Sequence, residues 1–410
     1  MMLSAILLAT QIAATPVSTT IVYADVVHPV SSPPINQGCV VIRDGKIVEV
    51  GPASNVHTTG EEKIIRCAVA TPGLVDARGT VGLTGQYNIP HDQDMLERST
   101  PIQPELRAID AFNPRERLVE WVRELGTTTV HTGHAPGELI SGRTMICKTY
   151  GNTIDDVVLV PDAMIACTLG ESSLKSNDKS PGNRSKSMAM LRQKLIKAKE
   201  YAAQHADAHN KSEDDEEKPQ TPPARNLQLE ALALALDRDI PLLIHAHRTH
   251  DIMNALRLAK EFDLNIVIDG GSEAYRVIDE IKEANVPVIV HPQLIRMYGE
   301  MENASFTTAS KLADADIPIA MQTGYEAYVP KVRVLVFEAA QAAAHGLGRE
   351  RALRACTLDA ARILGVDDRV GSLEPGKDAD IALWDGDPFE WTTHCAGVLI
   401  DGQQVSSTRR

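Results

Sequence analysis

The middle of this 410-residue chain alternates short apolar runs with amphipathic helical stretches, and that alternation limits the fold more than any other feature. The runs are Val69–Ala77, Thr128–Thr132, Pro161–Thr168, Pro241–His247, Asn265–Ile268, Val286–Val290 and Ile317–Met321. Between or after them, Leu118–Leu125, Ile252–Glu261, Ala274–Ala284 and Val334–His345 carry apolar residues at helical spacing. Buried strands joined through helices describe a parallel sheet. Six or more such units fit a closed barrel better than an open doubly wound sheet. No G-x-G-x-x-G follows the first run, so the main nucleotide-binding signal is missing.

The two ends read differently. Residues 19–65 are β-rich, and Asp44-Gly45 between two β-branched runs predicts a tight hairpin. Asp380–Asp385 and Gly397–Gln403 read as further strands. The expected architecture is therefore α/β: a (β/α)8 barrel over 71–370, with a small composite β-sandwich built from 15–70 and 371–410. Aromatic residues are only 4% of the chain, so the core must come from Ala, Val, Ile and Leu.

A net charge of -14 with no basic patch argues against nucleic acid as a partner. Residues 3–14 form an apolar stretch too short to span a membrane. With small residues at Ala13 and Ala14 it reads as a signal peptide over 1–14, although it lacks a basic n-region. That reading implies a secreted or periplasmic protein; the alternative is a packed N-terminal segment of a cytoplasmic one. The acidic, Pro-containing run near 205–224 reads as a mobile surface insertion. Six cysteines lack C-x-x-C spacing, so a zinc knuckle is not expected. A Cys39–Cys67 disulfide is an option only for an exported protein.

Five motifs carry a family resemblance. Thr71-Pro-Gly-Leu-Val-Asp-Ala77 resembles the first barrel strand of the amidohydrolase superfamily. Thr357–Val366 is similar to the helix before the return into its β-domain, and Gly371–Asp385 to that return. Asp44–Ile47 and Val398–Gly402 complete the pattern, which runs along nearly the whole chain. The imidazolonepropionase-like and prolidase-like branch is the most similar. The resemblance implies hydrolysis of C–N bonds in small amides or dipeptides, assisted by a divalent metal, usually zinc.

It also implies where the metal ligands belong: an HxH on strand 1, a His on each of strands 5 and 6, and an Asp on strand 8. Here the HxH positions hold Arg78 and Thr80. Arg78 cannot shed its proton and so cannot be a ligand. Strand 5 keeps His245, in Leu243–His247. The strand 6 and strand 8 positions fall on Gly270 and Gly324, and Ala166–Thr168 offers no strand 4 lysine. One retained ligand falls short of the three that a catalytic zinc needs.

Two readings of the pocket stay open. His245, His247 and His291, with a carboxylate nearby, could rebuild a non-standard zinc site or serve as acid–base groups. Otherwise no metal is bound and they are residual histidines. Arg78 would anchor an anionic small molecule, with Thr80, Glu273 and Glu326 lining the pocket, or else form an internal salt bridge to Glu273 or Glu326. His131 and His134 line the mouth or belong to a loop. Asp110 is expected to cap the helix that Pro114 begins, and Lys148 to be a surface lysine. Ser141 and Ser172 have no partnered base at recognisable spacing. The function is thus a hydrolase with an altered metal site or an inactive barrel that binds a small anion or a partner protein. Homo-oligomerisation is open in both.

Overall fold

The computed structural model describes residues 19–87, 89–176, 180–214, 224–291, 297–325 and 334–410, the side chains of 209–214 excepted. The signal-peptide reading over 1–14, residues 215–223 of the acidic run, and Glu326 lie outside the described residues. Residues 205–214 of that run continue a helix, Arg184–Asp214. No helix among the described residues is long and apolar enough to cross a membrane.

Both ends of the chain share one seven-stranded sheet. Its first four strands are β1 (Thr19–Val27), β2 (Ile35–Arg43), β3 (Lys46–Pro52) and β4 (Lys63–Pro72). The middle of the chain supplies β5 (Leu74–Gly79), β6 (Thr127–Thr132), β7 (Ile140–Arg143), β8 (Met145–Lys148), β9 (Val158–Val160) and β10 (Ile165–Thr168). It continues with β11 (Leu242–Ala246), β12 (Ile266–Gly270), β13 (Val288–Val290) and β14 (Ile319–Met321). The C-terminal end returns with β15 (Ile381–Trp384), β16 (Cys395–Ile400) and β17 (Gln403–Ser406). The shared sheet has the order β17-β16-β15-β4-β1-β2-β3. Asp44 and Gly45 both take positive φ, 50° and 78°, as the tight β2–β3 hairpin demands. Asp401 and Gly402 repeat this between β16 and β17, at 49° and 72°.

The register rules out the Cys39–Cys67 bridge. β1 lies between β2 and β4, pairing Tyr23 with Cys39 and Ala24 with Cys67. Successive residues of β1 point to opposite faces, so the two thiols do as well. Two strand spacings also separate their backbones by about 10 Å, beyond the reach of a disulfide. All six cysteines are free.

The middle forms two further sheets, β14-β13-β12-β11-β10-β7 and β5-β6-β8-β9. β10 to β14 pair in parallel, each with the next, and β5 pairs in parallel with β6. Alternate residues face two environments, as a strand period of two requires. Ile244, Ile268, Val290 and Met321 pack in the main core with the helices. Val75, Ala77, Ile146, Leu243, Val267, Ile289 and Ala320, drawn from both sheets, meet in a separate inner cluster. The two sheets also join through a backbone hydrogen bond, Gly324 N–H to Arg78 O at 3.2 Å.

Two local expectations change. The helix near Pro114 begins at Arg117, and Glu116 caps it by accepting the Leu118 N–H at 2.5 Å. Asp110 instead ends a separate 3-10 turn, Ala108–Asp110. Lys148 is buried, not on the surface. It ends β8 pointing at the return segment, with Nζ 2.8 Å from Asp378, 3.1 Å from Asp380 and 2.6 Å from Asp401. Burial alone would push its pKa down, but these carboxylates raise it.

Candidate functional site

The inner apolar cluster sets the site by parity. Two residues beyond Leu243, Val267, Ile289 and Ala320 come His245, Asp269, His291 and Gln322. Side chains recur on one strand face every second residue, so a polar layer lies over the apolar one at the C-terminal ends of β11–β14. All four side chains are buried.

Asp269 is the hub. His245 Nδ1 lies 3.2 Å from its Oδ2, and Gln322 Nε2 donates to its Oδ1 at 2.6 Å. Arg78 Nε lies 4.0 Å from Oδ2, with both side chains only 1% exposed. Burial would raise the Asp269 pKa, but His245, Arg78 and Gln322 outweigh it and hold the carboxyl well below the usual range. Arg78 is committed inward. Nη1 donates to Gly79 O at 3.1 Å and Nη2 to His134 O. The expected salt bridge to Glu273 is absent among the described ion pairs. Arg78 pairs instead with Asp269.

Glu273 is engaged elsewhere. Its carboxylate accepts the Thr249 N–H at 2.7 Å and the Thr249 hydroxyl at 2.8 Å, at the start of helix Thr249–Phe262. Asn303 Nδ2 donates to its other oxygen at 2.7 Å. Thr80 is buried just beyond β5, its carbonyl accepting from Leu83 N–H at 3.0 Å.

A second carboxyl lies under Arg78. Asp76 accepts from Arg78 N–H at 3.2 Å, from Thr323 N–H at 3.1 Å, and from the Thr323 hydroxyl. Burial pushes its pKa up to about 7, against the lowering effect of those donors. His131 belongs to β6, not to a loop. Its ring nitrogens meet Ala77 O at 2.7 Å and Thr144 Oγ1 at 2.6 Å. Burial and then Arg78's charge push His131 down to about 3 and His134 down to about 4, so both stay neutral.

His245 and His247 stand edge to face with ring centres 4.6 Å apart, and Ser272 Oγ is 2.7 Å from His247 Nδ1. Tyr325 closes the group. Its ring centre is 5.2 Å from that of His245 and 6.0 Å from that of His291. Its hydroxyl lies 3.0 Å from His245 Nε2. The structure thus brings Arg78, His245, His247 and His291 together. Sequence reasoning had no place for Tyr325, Gln322 or Thr323, although counting two residues on from the inner apolar layer finds Gln322.

These residues do not fit the family's metal. His245 Nδ1 faces Asp269 at 3.2 Å, and the Tyr325 hydroxyl stands over the ring, 3.0 Å from Nε2 and 3.4 Å from Nδ1. Gly270 has φ of +94°, and a Cβ there would stand 2.8 Å from His247 Cε1 and 3.3 Å from His245 Cε1. The space of a strand 6 ligand is therefore filled by the two imidazoles. Gly324 also has positive φ, 83°. Among the described residues, no group of three or more His, Cys, Asp or Glu is arranged to hold a metal ion.

The chain is similar over nearly its whole length to the amidohydrolase of Thermotoga maritima MSB8. That structure matches with a TM-score of 0.87 and 29% identity, covering 95% of this chain and 100% of the other. Amidohydrolase tasK of Hapsidospora irregularis is 24% identical over 406 residues, 89% of this chain, and this chain spans only 39% of that protein's length. A stretch of 36 residues is 58% identical to imidazolonepropionase of Shewanella baltica (strain OS185), 9% of either chain. The model of the amidohydrolase family matches residues 137–405, well over half of the sequence. The chain belongs to the amidohydrolase family.

Proposed function

We propose that this family member binds a small polar or anionic molecule over the polar layer of β11–β14, and does not run the family's metal-assisted hydrolysis. One observation carries the reading: the Arg78 guanidinium, permanently charged, is buried against Asp269 where the resemblance places a metal ligand. A dication about 4 Å from that charge would be opposed by roughly 8 kcal/mol at an effective dielectric near 20. Retaining one imidazole does not offset such a repulsion. Since Nη1 and Nη2 are bonded to backbone carbonyls, Arg78 attracts an anion through its field rather than through a direct fork.

This reading also takes the two middle sheets as a closed (β/α)8 barrel and the shared sheet as part of a β-sandwich. The inner cluster drawn from both sheets supports the closure. Under it, the substituted ligand positions are a settled rearrangement of the site, with Arg78 as its resident cation.

A second reading, metal-free hydrolysis of small amides or dipeptides, is favoured by the Asp269–His245 pair. An imidazole held at Nδ1 by a carboxylate has the geometry of a general base. Assays of N-acyl amino acids and dipeptides, run with and without a chelator, separate the readings. The binding reading expects no turnover in either condition. Turnover abolished by chelator overturns both, and chelator-insensitive turnover selects the second.

A further inference from the structure

We propose that the cavity between helices Thr249–Phe262 and Ile278–Glu283 is a second small-molecule site, built for a linear zwitterion: an ammonium and a carboxylate at opposite ends of an apolar body. The inference goes beyond the reading above and stands whether or not anything binds over the polar layer. The cavity has a volume of about 710 Å³, inside the range of small-molecule sites. It lies at the N-terminal ends of β12 and β13, where Ile266 and Val286 line it. Three residues of extended chain, about 10 Å, separate Ile266 from Asp269. The cavity is therefore distinct from the polar layer at the opposite strand ends.

The lining has the three parts such a ligand needs. The floor is apolar: Leu256, Leu264, Ile266 and Val286 belong to the main core and border the cavity. Arg257 and Lys260 form one wall. They are spaced i, i+3 on the longer helix and so share a face. Glu280 and Glu283, with the same spacing on the shorter helix, form the other wall.

The walls have opposite charge, yet among the described ion pairs none joins them. Their neighbours are engaged elsewhere: Glu261 pairs with Arg192, and Lys282 with Asp316. Arg238 at the rim donates to Asp263 at 2.8 Å and to Asn265 at 2.6 Å. Arg257 donates to Asn254 Oδ1 at 2.8 Å, a bond within its own helix that leaves its charge uncompensated. A cationic wall and an anionic wall over an apolar floor select for a ligand that carries both charges and sets its orientation. A simple anion or a simple cation meets one attractive wall and one repulsive one.

The test is titration of the full-length protein with ε-aminocaproate, whose ammonium and carboxylate end a chain of methylenes, followed by ligand-observed NMR. Saturable binding is expected. Caproate, which lacks the ammonium, and hexylamine, which lacks the carboxylate, should each bind about 5-fold more weakly, the scale of one partly exposed ion pair. Lys260→Glu and Glu283→Lys should each weaken ε-aminocaproate by about the same factor. Ala284→Trp, which fills the cavity from its lining, should abolish binding. All three positions are exposed, where substitutions rarely disturb a fold. The proposal is overturned without any variant if ε-aminocaproate does not saturate, or if caproate or hexylamine binds as tightly. Full affinity in Ala284→Trp places the ligand elsewhere and also overturns it. So does a dimer that Ala284→Trp dissociates, since a second copy would then be the occupant.

Discussion

Arg78 Nε lies 4.0 Å from Asp269 Oδ2, and both side chains are only 1% exposed. A buried charge pair of this kind is a weak source of net stability, but losing one partner leaves the other desolvated and unpaired. Arg78→Met therefore removes the cation that Asp269 faces and the donors to Gly79 O and His134 O. The expected loss is about 3–5 kcal/mol, read as a lower urea midpoint. Arg78→Lys recovers only part of it, since an ammonium lacks the planar fork that reaches both carbonyls.

Gly270 stands where the resemblance expects the strand 6 ligand. Its φ of +94° is strained for any L side chain, and its Cβ would meet the His247 ring. Gly270→Ala is expected to destabilise the fold by about 1–3 kcal/mol, measured by denaturant unfolding. Gly270→His should be no more stable and should gain no bound zinc. A stable Gly270→His that holds zinc contradicts the packing described here.

Lys148 pins β8 to the C-terminal return through Asp378, Asp380 and Asp401. Lys148→Met leaves buried Asp378 and Asp380 without their shared cation, and should cost about 3–5 kcal/mol. Adding Asp380→Asn to Lys148→Met should return part of that loss, because one uncompensated carboxyl is gone. A double-mutant cycle measures the coupling. Strictly additive effects would mean that the two groups do not interact.

Asp380 also predicts a pH dependence. Burial pushes its pKa up to about 6, from an ordinary 3.8, despite Lys148. The folded chain thus holds this proton more tightly than the unfolded chain, and Asp380's contribution to stability rises as pH falls from about 6 toward 3.8. Asp378 has the opposite sign. It is held down at about 2, and its contribution is present above 3.8 and lost as pH falls through 2. Asp76, raised to about 7, acts in the same direction as Asp380. The difference between wild type and Asp380→Asn isolates Asp380, and it should grow between pH 6 and 4. Parallel stability curves contradict the assignment.

The sequence showed the order of elements well and the site in part. Strand parity and the first-strand motif placed Arg78 and His245 where the structure has them, because both follow from a period of two along a β-strand. The partners of Lys148 lie more than 200 residues away, in the return segment, so its local sequence carries no sign of its burial. Glu273 was assigned to the pocket, yet it serves the start of a neighbouring helix, a role fixed by loop geometry. Tyr325 was passed over because the family motif drew attention to its neighbour Gly324, while its link to His245 depends on how the chain turns after β14. The composite sheet was legible from β-rich ends, but the opposed directions of Cys39 and Cys67 needed the register.

On the proposed function, Arg78 has taken the place of a metal in this site. Elemental analysis of the purified protein, compared with His245→Ala and Arg78→Ala, tests it most directly. Far less than one zinc per chain is expected in wild type, with no change in His245→Ala. One tightly held equivalent of zinc in wild type, lost in His245→Ala, would contradict it.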